Sequence, residues 1–215
     1  MSTGIILTGE SGGGKTYSLR NLNPKETFYI DADGKGLNWK GWKTQYNNAN
    51  KNYLKSRDPQ QIETFIKLVD EKQKQFKVIV IDTINAIMVG KEMDDMTTPQ
   101  KGKDGFSTWK DIASFAYNIV YNSNSYRDDL VIIMLAHSQV DDDGFVKLLT
   151  NGRKTEKTLL HSYVNNVFYA YKTDDLEYKI KTKMPNSIVK SYAGAFESEE
   201  LDNDIVPIIK AINEF

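Results

Sequence analysis

The chain contains no cysteine, which excludes disulfides, thiolate metal sites and a cysteine nucleophile. It has only 2 histidines, so a histidine-rich metal centre is not to be expected. Arginine is confined to Arg20, Arg57, Arg127 and Arg153. No apolar run approaches the roughly 20 residues that a membrane span needs. The N-terminus passes almost at once into strand-like sequence, without signal-peptide architecture. A cytoplasmic protein with no membrane contact is therefore the expectation. Lys and Arg total 28 and Asp and Glu 29, a net charge of -1. No global basic field results, and any nucleic-acid binding would have to come from local patches. Within 215 residues, 40% hydrophobic and 27% charged side chains form an ordinary globular mix with enough apolar material for one substantial core. No repeat, low-complexity tract or second domain is visible, so a single domain over 1–215 is expected.

What is present is concentrated near the start. Gly9-Glu10-Ser11-Gly12-Gly13-Gly14-Lys15-Thr16 reads G-x-x-x-x-G-K-[ST], the phosphate-binding P-loop. The apolar run Gly4–Thr8 leads in and a helix-compatible run, Tyr17–Leu22, leads out. Glycines let the backbone bring its N–H groups close to an anion, and a helix N-terminus favours negative charge there. Gly9, Glu10, Ser11, Gly12, Gly13, Gly14, Lys15, Thr16 and Tyr17 are thus the candidate nucleotide-binding residues. Lys15 would reach the β- and γ-phosphates, and Thr16 would offer its hydroxyl to Mg²⁺. The plainer alternative is a glycine-rich turn that happens to precede a lysine.

Two later strands end in acids. Thr27–Ile30 reads as a short buried strand running into Asp31-Ala32-Asp33-Gly34. Ligands of open α/β sheets bind at such strand ends, so Asp33 could act on an attacking water; Asp-Gly is also ordinary turn chemistry. Val78-Ile79-Val80-Ile81-Asp82-Thr83 is a continuous apolar strand, as a parallel sheet covered on both faces requires. Asp82 at its end is a Walker B acid, a candidate Mg²⁺ ligand with Thr16; it could instead cap the next helix. A third buried strand, Leu130–Ala136, ends at His137, placed either to sense a γ-phosphate or to cap.

Between these lie less decisive stretches. From Lys35 to Arg57, Lys35, Lys40, Lys43, Lys51, Lys55 and Arg57 occur without an acid among them, interleaved with Trp39, Trp42, Tyr46 and Tyr53. Such a mix suits single-stranded nucleic acid; it equally suits a solvated excursion whose tryptophans anchor it to the core. Asp58-Pro59 starts a helix. Lys91 to Phe106 reads as a mobile surface loop, and Ser107–Tyr121 as a helix. Gln139–Lys147 reads as a hairpin with an Asp-Gly turn, and Asn151–Lys154 as an exposed basic loop. A short helix near Glu156–Tyr163, strands Val164–Tyr171 and Glu177–Lys183, and an amphipathic helix Ile205–Phe215 complete the chain.

Taken together, these segments resemble the RecA-type core of P-loop ATPases, over roughly residues 3 to 185. Phe28–Asp33 resembles the segment ending in the water-activating glutamate, which falls on Asp33, one methylene shorter. Val78–Thr83 resembles the Walker B strand with its trailing hydroxyl. His137 matches the γ-phosphate-sensing residue. Tyr178–Lys183 resembles the Lys-x-Lys whose lysines reach ATP on the neighbouring subunit. The short chain is similar to the RecA-like ATPases of bacteriophages that work in single-strand annealing recombination.

The resemblance implies an α/β, three-layer RecA-like P-loop core, mostly parallel with antiparallel C-terminal strands. It implies ATP and Mg²⁺ as cofactors, hydrolysis by a homo-oligomer (ring or filament), and single-stranded DNA as partner. A single-strand DNA-binding protein is a further candidate partner. Lys181, Lys183 or Arg153 of a neighbour would supply the finger, and Asp31 could substitute for Asp33. The stretches matching the DNA-facing loops, Lys91–Phe106 and Gln139–Thr158, are not strongly basic. Two other functions stay open: a nucleotide-gated interaction or loader module with little turnover, and a small P-loop kinase, against which the scarcity of arginine speaks.

Overall fold

The computed structural model describes residues 1–97 and 105–215. Strands β1 (Thr3–Gly9), β2 (Thr27–Asp31), β3 (Tyr53–Lys55), β4 (Val78–Asp82) and β5 (Val131–Val140) are followed by β6 (Val146–Leu148), β7 (Asn166–Lys172), β8 (Tyr178–Lys181) and β9 (Glu200–Asp202). They form one sheet in the order β3-β2-β4-β5-β1-β7-β8-β9, with β6 on the end of β5. The pairings from β3 across to β7 are parallel. Those of β6, β8 and β9 are antiparallel. The mostly parallel sheet with antiparallel C-terminal strands is as the sequence led us to expect.

Near-continuous apolar strands demand cover on both faces, and period-2 alternation divides their side chains between two cores. Ile6, Ile79, Ile81, Ile132 and Met134 point into one core. Helices α2 (Pro59–Lys72), α3 (Ile84–Thr97) and α4 (Gly105–Asn122) cover it with Ile62, Ile66, Ile87, Ile112 and Ile119. Ile5, Leu7, Val80, Ile133 and Leu135 point the other way, against Leu19, Tyr46, Phe196, Ile205 and Ile208. The result is three layers. Asp58 begins α2 by accepting from Gln60 N–H at 2.9 Å, with Pro59 in the first turn, where its missing N–H costs nothing.

Several local expectations are corrected. The run after the P-loop forms only a one-turn 3-10 segment, Thr16–Leu19, not a helix through Leu22. Its anchorage comes instead from Arg20, whose guanidinium donates to Asn203 O at 2.5 Å. Lys91–Thr97 is the last part of α3 rather than loop, and Gly105 and Phe106 open α4; the rest of that expected loop, 98–104, lies outside the described residues. Arg153 and Lys154 begin a short helix, α5 (Arg153–Lys157), after Gly152, and a separate 3-10 turn follows at Leu160–Tyr163. The strand expected over Glu177–Lys183 stops at Lys181, and β9 was not anticipated.

The 35–57 segment is more structured than its composition suggests. It contains helical turn α1 (Trp42–Gln45) and edge strand β3, which pairs with β2. Tyr46 is buried, and Trp39, Trp42 and Tyr53 pack against the same core. Trp39 meets Tyr46 edge-on at 6.2 Å and Trp42 lies 5.9 Å from Tyr53. Asn52 is buried and donates to Pro24 O at 2.8 Å and Gln45 O at 2.9 Å. Lys35, Lys40, Lys43, Lys51, Lys55 and Arg57 stay exposed. The apolar rings turn inward while the ammonium groups stay in water, as their transfer energies require.

Candidate functional site

Parallel registration brings the informative residues to one rim. Gly9 lies opposite His137, and Asp82 is paired with Asp31. Strand β5 runs between the P-loop strand β1 and the acid strand β4, so His137 stands between Lys15 and Asp82. A cleft of about 560 Å³ opens there, lined by Ser11, Gly12, Gly14, Lys15, Thr16 and Tyr17 of the loop. Asp82, Thr83, His137, Tyr178 and residues Lys35–Asn38 complete its walls.

The loop is shaped by close backbone approach. A side chain at Gly9 would sit 2.1 Å from Ala170 O, and at Gly13 it would sit 2.7 Å from the same carbonyl. Gly13 N–H closes a turn onto Glu10 O at 3.1 Å. Among the described residues the N–H groups of Gly14, Lys15 and Thr16 have no acceptor, and such a run of unpaired amides is an anion cradle. Lys15 is 6% exposed. Its Nζ donates to Gly9 O at 2.7 Å and Glu10 O at 2.8 Å. Burial lowers its pKa to about 8, against an opposing pull from Asp82.

Asp82 is 2% exposed. Its Oδ2 accepts from Thr16 Oγ1 at 2.9 Å and from Tyr29 OH at 2.6 Å. Its Oδ1 is buried with no partner among the described residues, and burial raises the carboxyl above its usual range. An orphaned carboxylate oxygen in a dry site is costly. It fits a hard cation, with Thr16 Oγ1 alongside as the second protein oxygen. Among the described residues no group of three His, Asp or Glu could hold a metal by itself, so Mg²⁺ here would need oxygens from phosphate and water as well.

His137 Nδ1 lies 3.5 Å from Lys15 Nζ. Burial and then the Lys15 charge hold its pKa below the usual value, so the ring is neutral at pH 7. A charged lysine can only donate, so the contact suits the tautomer with a bare Nδ1 and its proton on Nε2. The His137 backbone is clamped: its N–H donates to Asn85 Oδ1 at 2.8 Å, and Asn85 Nδ2 donates to Leu149 O at 2.7 Å.

The acids after β2 separate sharply. Asp31 is buried and fully engaged, accepting from Gly34 N–H at 2.8 Å, Gly36 N–H at 2.9 Å and Tyr53 OH at 2.5 Å. It is a turn-forming residue whose oxygens hold three donors of its own loop. Asp33 accepts from Thr83 Oγ1 at 3.0 Å and is ion-paired with Lys35. Its backbone N–H donates to Asp82 O at 3.1 Å, tying it to the Walker B strand. Its side chain borders a second cleft with Lys55, Arg57 and Gly90 rather than the phosphate cleft itself.

The rest of the expected set lies elsewhere. Lys181 and Lys183 do not line the cleft of their own chain. Lys181 Nζ is 3.6 Å from Glu200 Oε2 and 5.2 Å from the Tyr171 ring, and Lys183 is exposed. Arg153 opens α5, but its side chain lies outside the described part of the structure.

Residues 2–189 match the family model described as an AAA domain. The chain belongs to the AAA domain family. No curated protein matches it. Among solved structures it is similar to a KaiC-like protein from the hyperthermophilic archaeon Pyrococcus horikoshii, with TM-score 0.50 and 13% identity over 85% of this chain and 79% of that one. At that identity the likeness shows the fold alone, a RecA-like core of a mostly parallel sheet with helices around it. No helix among the described residues of this AAA domain is long and apolar enough to cross a membrane.

Three contributors to the site escaped the sequence reading. Tyr29 looks like any aromatic in a buried strand, and nothing in the pattern tells of its hydroxyl on Asp82. Asn85 did leave a signal, an amide in the otherwise apolar Ile84–Met88 of this AAA domain. Lys35 is, in the sequence, one cation among the several of a basic segment.

Proposed function

We propose that this chain binds ATP with Mg²⁺ and hydrolyses it. The observation that carries the reading is the meeting of Lys15 with Asp82, whose free oxygen is buried beside Thr16. Lys15 would leave its carbonyl partners for the β- and γ-phosphates, and the unpaired amides of the loop would hold the β-phosphate. Thr16 and Asp82 would hold Mg²⁺, which when bound supplies charge neutralisation to the phosphates. Asp33 would orient a water and take its proton as the water oxygen bonds to the γ-phosphorus and the bond to the β-phosphate oxygen breaks. His137 Nε2–H would donate to the γ-phosphate and pass its position through Asn85 to Leu149, at the end of the β5–β6 hairpin.

The finer reading is a homo-oligomer acting on single-stranded DNA, in phage recombination or replication. Its support is the exposed set Lys40, Lys43, Lys51, Lys55 and Arg57, an electrostatic rather than a stacking surface. A neighbour's Lys181, Lys183 or Arg153 is the proposed finger, since Lys181 and Lys183 stand outside their own cleft. Such a finger is worth roughly 10³–10⁵ in rate. The test is ATPase rate against protein concentration, with and without single-stranded DNA. Specific activity should rise with concentration and again with DNA. A rate per chain unchanged by either would defeat the oligomer and DNA parts.

A second reading, a nucleotide-gated interaction module with little turnover, has one observation in its favour. Both carboxylate oxygens of Asp33 are engaged, by Lys35 and Thr83. Tight ATP binding with negligible turnover even at high protein concentration would select it.

A further inference from the structure

We propose that Lys35 reads the γ-phosphate, and that in turning to it Lys35 releases Asp33 for work on water. The proposal rests on the cleft being a triphosphate site.

The backbone around Lys35 is fixed. Asp31 grips the N–H groups of Gly34 and Gly36 on either side of it, at 2.8 and 2.9 Å. Gly36 has φ 77°, and a side chain there would strike the Trp42 ring at 2.6 Å. The turn therefore holds the Lys35 backbone against the cleft wall, followed by Gly36, Leu37 and Asn38. The Lys35 side chain, by contrast, is 59% exposed and has Asp33 as its ion-pair partner. A rigid base with a mobile ammonium is suited to a change of partner.

The charges say which way the change goes. Lys15, Lys35 and Asp82 line the cleft, and Asp33 reaches it only through its partners Lys35 and Thr83. The Lys35 charge is already felt at Lys15, Asp82 and His137. An ion pair on an exposed lysine is worth little, whereas a charge-assisted contact to phosphate is among the stronger polar interactions. A γ-phosphate would take Lys35 from Asp33. A diphosphate offers nothing in its place, and Lys35 would remain on Asp33. Loss of Lys35 leaves Asp33 held by Thr83 Oγ1 alone, with one carboxylate oxygen free to accept from water.

The test is equilibrium binding of ADP and of a non-hydrolysable ATP analogue, each with Mg²⁺, to wild type, Lys35→Ala, Asp33→Asn and the double variant. Lys35→Ala should weaken the analogue by about tenfold, the worth of one charge-assisted contact, and leave ADP unchanged. Lys35→Arg should restore the preference. Asp33→Asn should tighten the analogue, because no ion pair has to break, and that gain should vanish in the Lys35→Ala background. Equal weakening of both ligands by Lys35→Ala, or of neither, overturns the proposal. So does a gain from Asp33→Asn that survives without Lys35. Failure of wild type to bind either ligand would instead overturn the ATP reading on which the proposal stands.

Discussion

Replacing Lys15 with methionine should destroy nucleotide binding and yet stabilise the protein in its absence. Burial lowers the Lys15 pKa from 10.5 to about 8. At about 1.4 kcal/mol per pKa unit, carrying the charge at neutral pH costs the fold about 3 kcal/mol. The attraction of Asp82 is already inside that figure. Methionine fills similar space without charge, but forfeits the bonds to Gly9 O and Glu10 O, a loss of about 2 kcal/mol together. The net is a gain of about 1 kcal/mol, or a Tm higher by about 2–4 °C for a chain of this size.

The pH dependence sharpens this. Because the folded pKa lies below the unfolded one, the unfolded chain binds the extra proton between about 8 and 10.5. Wild type therefore gains stability as pH rises through that window, and below about 8 the penalty is present in full. Lys15→Met has no such term, so its advantage at pH 7 should shrink and then invert towards pH 10. Thermal denaturation in a chelator, from pH 7 to 10, reads both effects. Adding Mg²⁺ and ATP at about 100 times Kd should raise wild type by about 2.7 kcal/mol and leave the variant unmoved. A variant that melts well below wild type at pH 7, or a gap indifferent to pH, would refute the reasoning.

Other outcomes follow from the same contacts. Asp33→Asn should retain Mg²⁺-dependent nucleotide binding and lose turnover in steady-state assays; surviving turnover would put the base elsewhere. Tyr29→Phe removes one of the donors to buried Asp82 and should cost about 1.5–3 kcal/mol in denaturant unfolding, with a weaker Mg²⁺ requirement for nucleotide. Asp31→Ala orphans the half-buried amides of Gly34 and Gly36 and should destabilise by about 2 kcal/mol, measured as a lower denaturation midpoint at unchanged slope.

The strands and the P-loop were legible because their signals are local. Val78–Ile81 and Leu130–Ala136 can be little else than buried strands, and the glycine spacing before Lys15 carries its own chemistry. What was not legible depends on partners far along the chain. Strands β3 and β9 are short and half-polar, and they exist because β2 and β8 offer them edges. The segment after Thr16 stops after one turn because Arg20 and Asn21 are fastened to Asn203 and Asp204, 183 residues away. Asp31 and Asp33 look interchangeable in sequence. Only the turn that brings Gly34, Gly36 and Tyr53 onto Asp31 reveals that one acid builds the loop while the other pairs with Lys35 and Thr83. The aromatic residues among the lysines of 35–57 fitted a stacking surface as well as a core anchor, and the partly filled core beneath β2 drew them inward.

The account stands on a triphosphate being held between Lys15 and Asp82. Calorimetric titration of the protein with ATP, with and without Mg²⁺, tests this most directly. Saturable binding at a single site per chain, tightened by Mg²⁺ and abolished by Lys15→Ala, is the predicted result. Absence of binding by wild type, or binding that Lys15→Ala leaves intact, would contradict it.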